Sequence, residues 1–225
     1  MSKEAVAILG GTGEQGLGLA YRFAHAGRPV RIGSRKEDRA LEAMRDVRAK
    51  VANADVSGHE NAAAVRATKG GIVILSVPFE HTAGTVKSIK DELAPGTIVV
   101  SMGVPLASAI GDAATRVVGV SQGSCAELVE ALVPDGVQVV SAFQNVAAHR
   151  LMHLPDPVEC DVIVSGAKEA KQRVMALCDD IPGTRAIDGG LLFNARYVEQ
   201  LTALMIGINI RLKKPEGVGL RLTYV

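Results

Sequence analysis

The chain has 225 residues, 48% of them hydrophobic, which is enough for one substantial core and a small second one. Its 25 lysines and arginines nearly balance 24 aspartates and glutamates, and a net charge of +1 provides no strong attraction for nucleic acid or anionic lipid. No stretch approaches the roughly 20 apolar residues of a membrane helix, and residues 1–9 lack the apolar length of a signal peptide. We therefore expect a cytoplasmic protein with neither a nucleic-acid nor a membrane partner.

The cysteines and histidines indicate no metal centre. Cys125, Cys160 and Cys178 are widely spaced and form no Cys-x-x-Cys pair, so the sequence favours neither a disulfide framework nor a zinc site. His149 and His153 lie four residues apart, yet the pattern supplies no acidic or cysteine partner for them. We interpret the cysteines as reduced structural residues and predict no bound metal.

The first half of the chain alternates predicted strands and helices. The apolar run 5–9 predicts a strand buried on both faces, and the apolar spacing from Leu17 to Ala24 predicts a helix after it. A strand over 30–33 and a charged helix over 34–51 follow, with Ser34 and Glu37 at capping-box spacing. The remaining predicted elements of this half are a helix over 59–68, a strand over 71–78, a helix over 82–93, a strand over 97–101, a helix over 125–132 and a strand over 137–143.

The alternation continues more weakly beyond residue 143. Strands over 160–165 and 184–187 flank a predicted helix over 167–179, and a long apolar helix is predicted over 194–213. This pattern predicts an α/β protein with a Rossmann-type, doubly wound parallel sheet and a smaller C-terminal α/β domain that ends in the apolar helix. We place the nucleotide-binding domain at 1–142 and the C-terminal domain at 143–225, and we expect the latter to cover the cofactor crevice and supply a dimer surface.

A glycine-rich loop separates the first predicted strand from the first helix. Its sequence is Gly11-Thr12-Gly13-Glu14-Gln15-Gly16, which matches the Gly-x-Gly-x-x-Gly fingerprint. The fingerprint indicates dinucleotide binding when it lies between a strand and a helix, as it does here. We expect Gly11 to allow a tight turn, Gly13 to allow a pyrophosphate to approach the backbone, and Gly16 to allow close packing of helix on sheet. Since the helix N-terminus offers free N–H groups to phosphates, the loop predicts a bound dinucleotide.

The end of the second predicted strand indicates which dinucleotide is bound. NAD-binding proteins carry an acidic side chain about 20 residues past the glycines, where it holds the ribose 2′-hydroxyl. This chain instead has Gly33-Ser34-Arg35-Lys36, and a hydroxyl and a guanidinium can accept a 2′-phosphate. We predict NADP(H), with Arg35 as the main anchor, Ser34 beside it and Arg39 as a candidate second cation. Ser34 can also cap the following helix.

Two later loops follow buried strands at the carboxyl edge of the predicted sheet, where ligands bind in open α/β folds. The loop Ser76-Val77-Pro78-Phe79-Glu80-His81 is a candidate for the nicotinamide side, although a histidine early in a helix is more often a surface group than a catalyst. The loop that begins with Gln144-Asn145 offers uncharged amides, which suit a neutral heteroaromatic ring or a hydrogen-bonded turn. We find no persuasive nucleophile, favour helix capping for Ser124, and note that direct hydride transfer needs no nucleophile.

These motifs resemble those of a known family, the NADPH-dependent coenzyme F420 reductases, also called F420H2:NADP oxidoreductases. The similarity extends over essentially the whole chain and is carried by 6–13 with Gly16, 33–35, 78–81, 139–143 and 194–199. The resemblance implies a homodimer that takes NADP and coenzyme F420 and passes a hydride directly between the nicotinamide and the deazaflavin. By position it assigns Thr12, Ser34 and Arg35 to NADP, Val77 and Pro78 to the nicotinamide, and the loop Gln144-Asn145-Val146-Ala147 to the deazaflavin.

Two other functions stay open at this point. The chain could reduce another flat heterocycle, such as a pterin or a flavin, or it could be a non-catalytic NADP(H)-sensing module that controls a partner protein. A structural protein with a vestigial glycine loop is disfavoured, because Arg35 stands at the phosphate position. The family's deazaflavin carries an anionic phospholactyl-glutamate tail, and the sequence does not rank Arg150, Arg196 and Arg211 as its partners.

Overall fold

The computed structural model describes residues 3–225, so residues 1 and 2 of the segment considered for a signal peptide lie outside the described residues. Within this range eight strands form one sheet: β1 (Val6–Leu9), β2 (Val30–Ser34), β3 (Val56–Glu60), β4 (Ile72–Leu75), β5 (Ile98–Ser101), β6 (Gln138–Ser141), β7 (Cys160–Gly166) and β8 (Thr184–Asp188). The helices of the same range are α1 (Glu14–His25), α2 (Glu37–Lys50), α3 (Asn61–Ala67), α4 (Phe79–Ile89), α5 (Cys125–Glu130), α6 (Ala148–Met152), α7 (Lys168–Met175) and α8 (Ala195–Leu212).

The sheet has the strand order β3-β2-β1-β4-β5-β6-β7-β8. The first six strands are all parallel and follow the Rossmann order, which confirms the predicted fold class. The sequence did not predict that β7 would pair antiparallel with β6, while β8 runs parallel to β7. The sheet thus continues past the expected boundary at residue 142, and the division into two domains stays a prediction.

The core lies on both faces of the central strands. All four residues of β1 are buried, and their side chains alternate between two apolar clusters. Val6 and Ile8 pack in the cluster that contains α1 and α2 side chains, whereas Ala7 and Leu9 pack in the cluster that contains α3, α4 and α5 side chains. Burial on both faces explains why this strand is a continuous apolar run rather than an alternating one.

Three local predictions are wrong. His59 and Glu60, predicted as helical, end the edge strand β3, which was missed because Val56 is its only strongly strand-favouring residue. The second helix begins at Glu37 with Lys36 as its N-cap, so Ser34 ends β2 instead of capping α2. The strand predicted over 137–143 stops at Ser141, because the backbone turns sharply afterwards.

The C-terminal helix is confirmed over nearly its predicted length, but much of its apolar surface remains uncovered. Ala203 and Met205 are buried, whereas Tyr197 and Leu204 are 63% and 60% exposed. Among the described residues, none of the helices combines the length and apolarity that crossing a bilayer requires.

Candidate functional site

A cleft of about 440 Å³ opens at the carboxyl ends of β1, β2 and β4. Four loops or helix starts contribute to it, and its lining residues are Gly10, Thr12, Gly13, Ser34, Arg35, Lys36, Arg39, Asn61, Ser76, Val77, Pro78, His81 and Thr85. The structure therefore brings the glycine loop together with both the segment predicted for the 2′-phosphate and the segment predicted for the nicotinamide. We call this cavity the dinucleotide cleft.

The glycine loop makes its tight turn one residue earlier than expected. Gly10 has φ +77°, and a Cβ atom there would collide with the carbonyl oxygen of Ser76. The turn assigned to Gly11 is thus made by Gly10. A Cβ atom at Gly16 would lie 2.7 Å from the Gly10 carbonyl oxygen, in accord with the close packing expected there. At Gly13 the nearest atom is 3.6 Å away, so backbone and ligand can approach each other.

The start of α1 is open to an anion. Gly13 is the N-cap of this helix and no side chain caps it, so the first N–H groups are left for a ligand. Thr12 lines the cleft beside them, whereas Gly11 is buried beneath the loop. Glu14 and Gln15 belong to the first turn of α1 but do not line the dinucleotide cleft.

Three cations stand at the far end of the cleft, where the sequence predicted a 2′-phosphate. Arg35, Lys36 and Arg39 are exposed and form no ion pair within residues 3–225. Ser34 is buried, and its hydroxyl accepts a long 3.3 Å hydrogen bond from the Lys36 backbone N–H. Cations without a protein partner beside a hydroxyl can form charge-assisted hydrogen bonds to a phosphate.

The β4–α4 loop forms the opposite end of the cleft. Ser76 and Val77 are half-buried, and Pro78 and His81 are exposed. The Ser76 backbone N–H donates to the Leu9 carbonyl at 2.8 Å, which fixes this loop against the end of β1. The exposure of His81 matches its interpretation as a surface group at the rim.

Sequence reasoning missed two polar residues of the cleft. Asn61 is the first residue of α3, and its buried Oδ1 atom has no hydrogen-bond partner within residues 3–225. Thr85 lies on the buried face of α4. Asn61 was missed because residues 59–61 were assigned to one helix, although an asparagine that directly follows a strand is a common sign of a helix start.

The second group of predicted residues lines a separate cavity of about 160 Å³, which we call the acceptor cavity. Its walls come from the β6–α6 loop, α1, α8 and the C-terminal segment: Gln15, Gln144, Asn145, Val146, Ala147, Thr202, Met205, Ile206, Asn209 and Val218. The four residues predicted for the deazaflavin thus lie together. Gln15, predicted with the phosphate loop, lies with them.

Side chains from two helices hold the β6–α6 loop in place. The Gln15 Nε2 atom donates to the carbonyl of Val146 at 2.9 Å, and the Thr202 hydroxyl donates to the carbonyl of Gln144 at 3.1 Å. The glycine-loop helix α1 and the long helix α8 are therefore both bonded to the loop. This arrangement keeps the acceptor cavity in a fixed position relative to the dinucleotide cleft.

Backbone strain marks the beginning of the same loop. Phe143 is a non-glycine residue with φ +66°, and its fully buried ring packs edge-to-face on Phe23 at 6.3 Å between centroids. A bulky residue adopts this conformation only where its surroundings enforce it, and such residues concentrate at functional sites. The turn directs the chain from β6 into the acceptor cavity.

Two amides of the loop present acceptor atoms without protein partners. Gln144 donates to the Ser141 hydroxyl at 2.7 Å and Asn145 donates to the Asp161 carbonyl at 2.8 Å. Their buried oxygens, Oε1 and Oδ1, have no hydrogen-bond partner in the described part of the chain. Because buried polar atoms are normally satisfied, these oxygens favour a ligand that donates N–H groups.

A buried acid joins α8 to the start of α5. Glu199 on α8 accepts hydrogen bonds from the backbone N–H groups of Cys125 and Ala126, at 2.8 and 3.1 Å. Burial raises the pKa of Glu199 to about 7, although these two hydrogen bonds oppose the shift. Burial also raises the pKa of Cys125 to about 11, so this cysteine stays a thiol at neutral pH and is no ready nucleophile. Ser124 caps α5 as predicted, accepting from the Glu127 N–H at 3.0 Å.

The strand order and the glycine loop define a protein of the Rossmann class. Residues 5–105 match the family described as "NADP oxidoreductase coenzyme F420-dependent". The F420-dependent NADP reductases of Methanocaldococcus jannaschii and Methanothermobacter marburgensis are 47% and 39% identical to the chain, and each alignment covers 97% of both sequences. The chain therefore belongs to the coenzyme F420-dependent NADP oxidoreductase family.

A solved structure gives the same result for the fold. A crystal structure from Arthrobacter sp. FB24 superposes with a TM-score of 0.80, covering 96% of this chain and 99% of that one at 22% identity. The likeness includes the C-terminal region as well as the nucleotide-binding half.

Proposed function

We propose that the protein transfers a hydride directly between NADP(H) and the deazaflavin coenzyme F420. The observation that carries the proposal is that both cavities use the start of α1: Gly13 lines the dinucleotide cleft, and Gln15 lines the acceptor cavity. Full-length similarity to two F420-dependent NADP reductases supports the same reaction.

The dinucleotide cleft fits NADP(H) better than NAD(H). In the proposed arrangement the free N–H groups of α1 receive the pyrophosphate, and Thr12 lies beside it. Arg35 and Ser34 hold the 2′-phosphate, with Lys36 and Arg39 as further cations. Val77 and Pro78 line the nicotinamide end, and His81 stands at the rim.

The acceptor cavity fits a neutral ring that carries N–H groups. The unpartnered oxygens of Gln144 and Asn145 receive hydrogen bonds from the ring, while Val146 and Ala147 contribute apolar contact. When bound, the nicotinamide and deazaflavin supply the hydride chemistry themselves, so the chain needs no nucleophile. Its own residues orient the two rings and exclude water, and Gln15 and Thr202 keep the β6–α6 loop rigid.

A homodimer is part of the proposal. The exposed apolar side chains of α8, with Tyr197 in its first turn and Leu204 near its middle, and the neighbouring Phe193 at 46% exposure form a patch of the kind that usually meets a partner surface. A second copy of the chain is the occupant that the family resemblance favours. We also propose a cytoplasmic location, since the three cysteines are buried free thiols.

The experiment is a spectrophotometric assay of purified protein with NADPH and oxidised F420, followed at the deazaflavin absorbance. FMN and a pterin serve as parallel acceptors. The expected result is that NADPH is turned over with F420 but not with FMN or the pterin. Turnover with another heterocycle alone would reassign the acceptor, and binding of NADPH without turnover of any acceptor would point to an NADP(H) sensor.

A further inference from the structure

Gln15 joins the start of α1, which faces the dinucleotide cleft, to the β6–α6 loop, which lines the acceptor cavity. It is the second residue of α1, and Gly13 is the N-cap of that helix. The Leu17 N–H donates to the Gly13 carbonyl at 2.8 Å, so the backbone N–H groups before Leu17, including that of Gln15, precede the first helical hydrogen bond. These groups are the ones that a pyrophosphate can use, whereas the Gln15 side chain lines the acceptor cavity.

We propose that Gln15 is a positioning residue through which a pyrophosphate bound to α1 stabilises the β6–α6 loop. Binding of the dinucleotide then strengthens binding of the acceptor, and the acceptor strengthens binding of the dinucleotide by the same factor, because such coupling is reciprocal. The inference rests on the proposed function and adds a link between its two ligand sites.

The side chain of Gln15 supports the part of the loop where the backbone is strained. Its Nε2 atom donates to the Val146 carbonyl at 2.9 Å and, by a longer bond of 3.4 Å, to the carbonyl of Phe143, the residue with φ +66°. A bulky residue keeps this conformation only when its surroundings enforce it. Loss of the Gln15 amide therefore removes support from a loop whose shape its own backbone does not favour.

An anion at the start of α1 should strengthen this support. The first turn of a helix contains N–H groups that no helical carbonyl accepts, and helix ends readily fray. A phosphate that accepts hydrogen bonds from these N–H groups orders the turn. The Gln15 side chain then loses less conformational freedom when it bonds the loop, because its backbone is already fixed.

The rest of α1 is packed firmly against the helix that follows the loop. A Cβ atom at Gly18 would lie 2.6 Å from the Leu151 Cβ atom, and the Arg22 Nε atom donates to the Leu151 carbonyl at 2.9 Å. These contacts fix α1 relative to α6 without using the first turn of α1. The response to a bound phosphate is therefore confined to that turn and to the Gln15 side chain.

Thr202 supports the same loop without a connection to the phosphate-binding helix. Its hydroxyl, on α8, donates to the Gln144 carbonyl at 3.1 Å, whereas the residues that line the dinucleotide cleft come from other elements. Loss of this bond should weaken the loop to the same extent with or without a dinucleotide. A comparison of Gln15 with Thr202 thus separates support of the loop from coupling between the two sites.

The test measures coupling in the wild type, Gln15→Leu and Thr202→Val. The Kd of oxidised F420 is determined by deazaflavin fluorescence with and without saturating 2′-phospho-ADP-ribose, which carries the pyrophosphate but has no nicotinamide to stack on the acceptor. In the wild type this ligand should lower the Kd about fivefold, an effect in the range of one hydrogen bond. Gln15→Leu should bring the ratio of the two Kd values close to one. Thr202→Val should raise both Kd values and preserve their ratio.

The ratio excludes two simpler explanations of a weakened variant. A direct contact between Gln15 and the acceptor changes both Kd values alike and cancels in the ratio. Leucine is similar in size to glutamine and favours a helix, so Gln15→Leu should keep α1 intact. A ratio of one in the wild type, or an unchanged ratio in Gln15→Leu, would overturn the proposal.

Hydrogen exchange tests the same coupling without an acceptor. 2′-Phospho-ADP-ribose should slow exchange of the backbone amides of residues 143–147 several-fold in the wild type and in Thr202→Val, but not in Gln15→Leu. Adenosine 2′-monophosphate, which has no pyrophosphate, should leave this exchange unchanged in all three proteins. Equal slowing by both ligands, or slowing that persists in Gln15→Leu, would overturn the proposal. Failure of F420 to bind would instead contradict the proposed function, and the exchange comparison would still decide the role of Gln15.

Discussion

The dinucleotide cleft and the junction between α1 and α6 both contain arginines. The guanidinium group at the junction donates hydrogen bonds to the protein, whereas those in the cleft do not. At the junction, Arg22 is 1% exposed and donates to the carbonyls of Arg150, Leu151, His153 and Asp156. In the cleft, the guanidinium groups of Arg35 and Arg39 have no protein acceptor within the described residues.

The difference separates arginines that maintain the fold from arginines that await a ligand. A buried guanidinium such as that of Arg22, whose three nitrogens all donate to backbone carbonyls, holds chain segments together, and its loss leaves these carbonyls without partners. An exposed guanidinium without a partner contributes little to stability and remains available to an anion. The comparison predicts that stability and cofactor affinity respond to different substitutions.

The largest expected effect concerns the junction. Arg22→Ala should lower the free energy of unfolding by about 4 kcal/mol, because it leaves several buried carbonyls unsatisfied and opens a cavity between α1 and α6. Urea denaturation followed by circular dichroism measures this loss. Arg22→Lys keeps the positive charge but can form fewer hydrogen bonds, so its free energy of unfolding should lie between those of the wild type and Arg22→Ala. Arg45→Ala, at an exposed position on α2, should change the free energy of unfolding little. A loss below about 1 kcal/mol for Arg22→Ala would remove the contrast between the two regions.

The next effect concerns the cleft. Arg35→Ala should weaken NADPH binding by about 1.5 to 3 kcal/mol, the range for hydrogen bonds to charged groups, and leave NADH binding and the unfolding free energy nearly unchanged. Titration calorimetry with both dinucleotides provides the measurement. Arg45→Ala again serves as the matched control. Equal losses for NADPH and NADH would contradict the assignment of Arg35 to the 2′-phosphate.

The sequence predicts the cleft well because its determinants are local. A continuous apolar run marks β1, the glycine loop follows it directly, and Arg35 comes immediately after β2. Parallel strands bring these points to the same edge of the sheet, so the fold class alone places them together. Two details of the predicted cleft were wrong: Gly10 makes the tight turn instead of Gly11, and Ser34 ends β2 instead of capping α2.

The acceptor side is less accessible to sequence reasoning because its determinants are long-range. No residue near Gln15 in the sequence indicates that its side-chain amide donates hydrogen bonds to a loop 128 to 131 residues later in the chain. The left-handed turn at Phe143 depends on tertiary packing against Phe23, and the reversal of β7 has no local turn signal that periodicity would detect. The short helix α6 was missed, since five residues are too few to show a helical period.

A third prediction concerns Glu199, which joins α8 to the start of α5. The Glu199 carboxyl group has a pKa of about 7 in the folded protein and a lower, ordinary pKa in the unfolded chain. At a pH between these two pKa values, the folded protein therefore binds more protons than the unfolded chain. Stability from this group therefore falls as the pH rises from about 5 to 7, by about 1 to 2 kcal/mol. Glu199→Gln should flatten that slope in urea denaturation, whereas Glu130→Gln, an exposed change on α5, should preserve it. An identical slope in both variants would show that the Glu199 carboxyl does not titrate in this range.

The smallest expected effect distinguishes the two roles that the sequence allowed for Ser34. A residue that caps a helix typically contributes about 1 kcal/mol, but α2 begins at Glu37 and the Ser34 hydroxyl accepts only a 3.3 Å hydrogen bond from the Lys36 N–H. Ser34→Ala should therefore cost no more than about 0.5 kcal/mol of stability while it weakens NADPH binding measurably and leaves NADH binding unchanged. Urea denaturation and calorimetry on the same preparations separate the outcomes. A stability loss near 1 kcal/mol without any change in NADPH affinity would make Ser34 a structural residue and leave the 2′-phosphate to the cations alone.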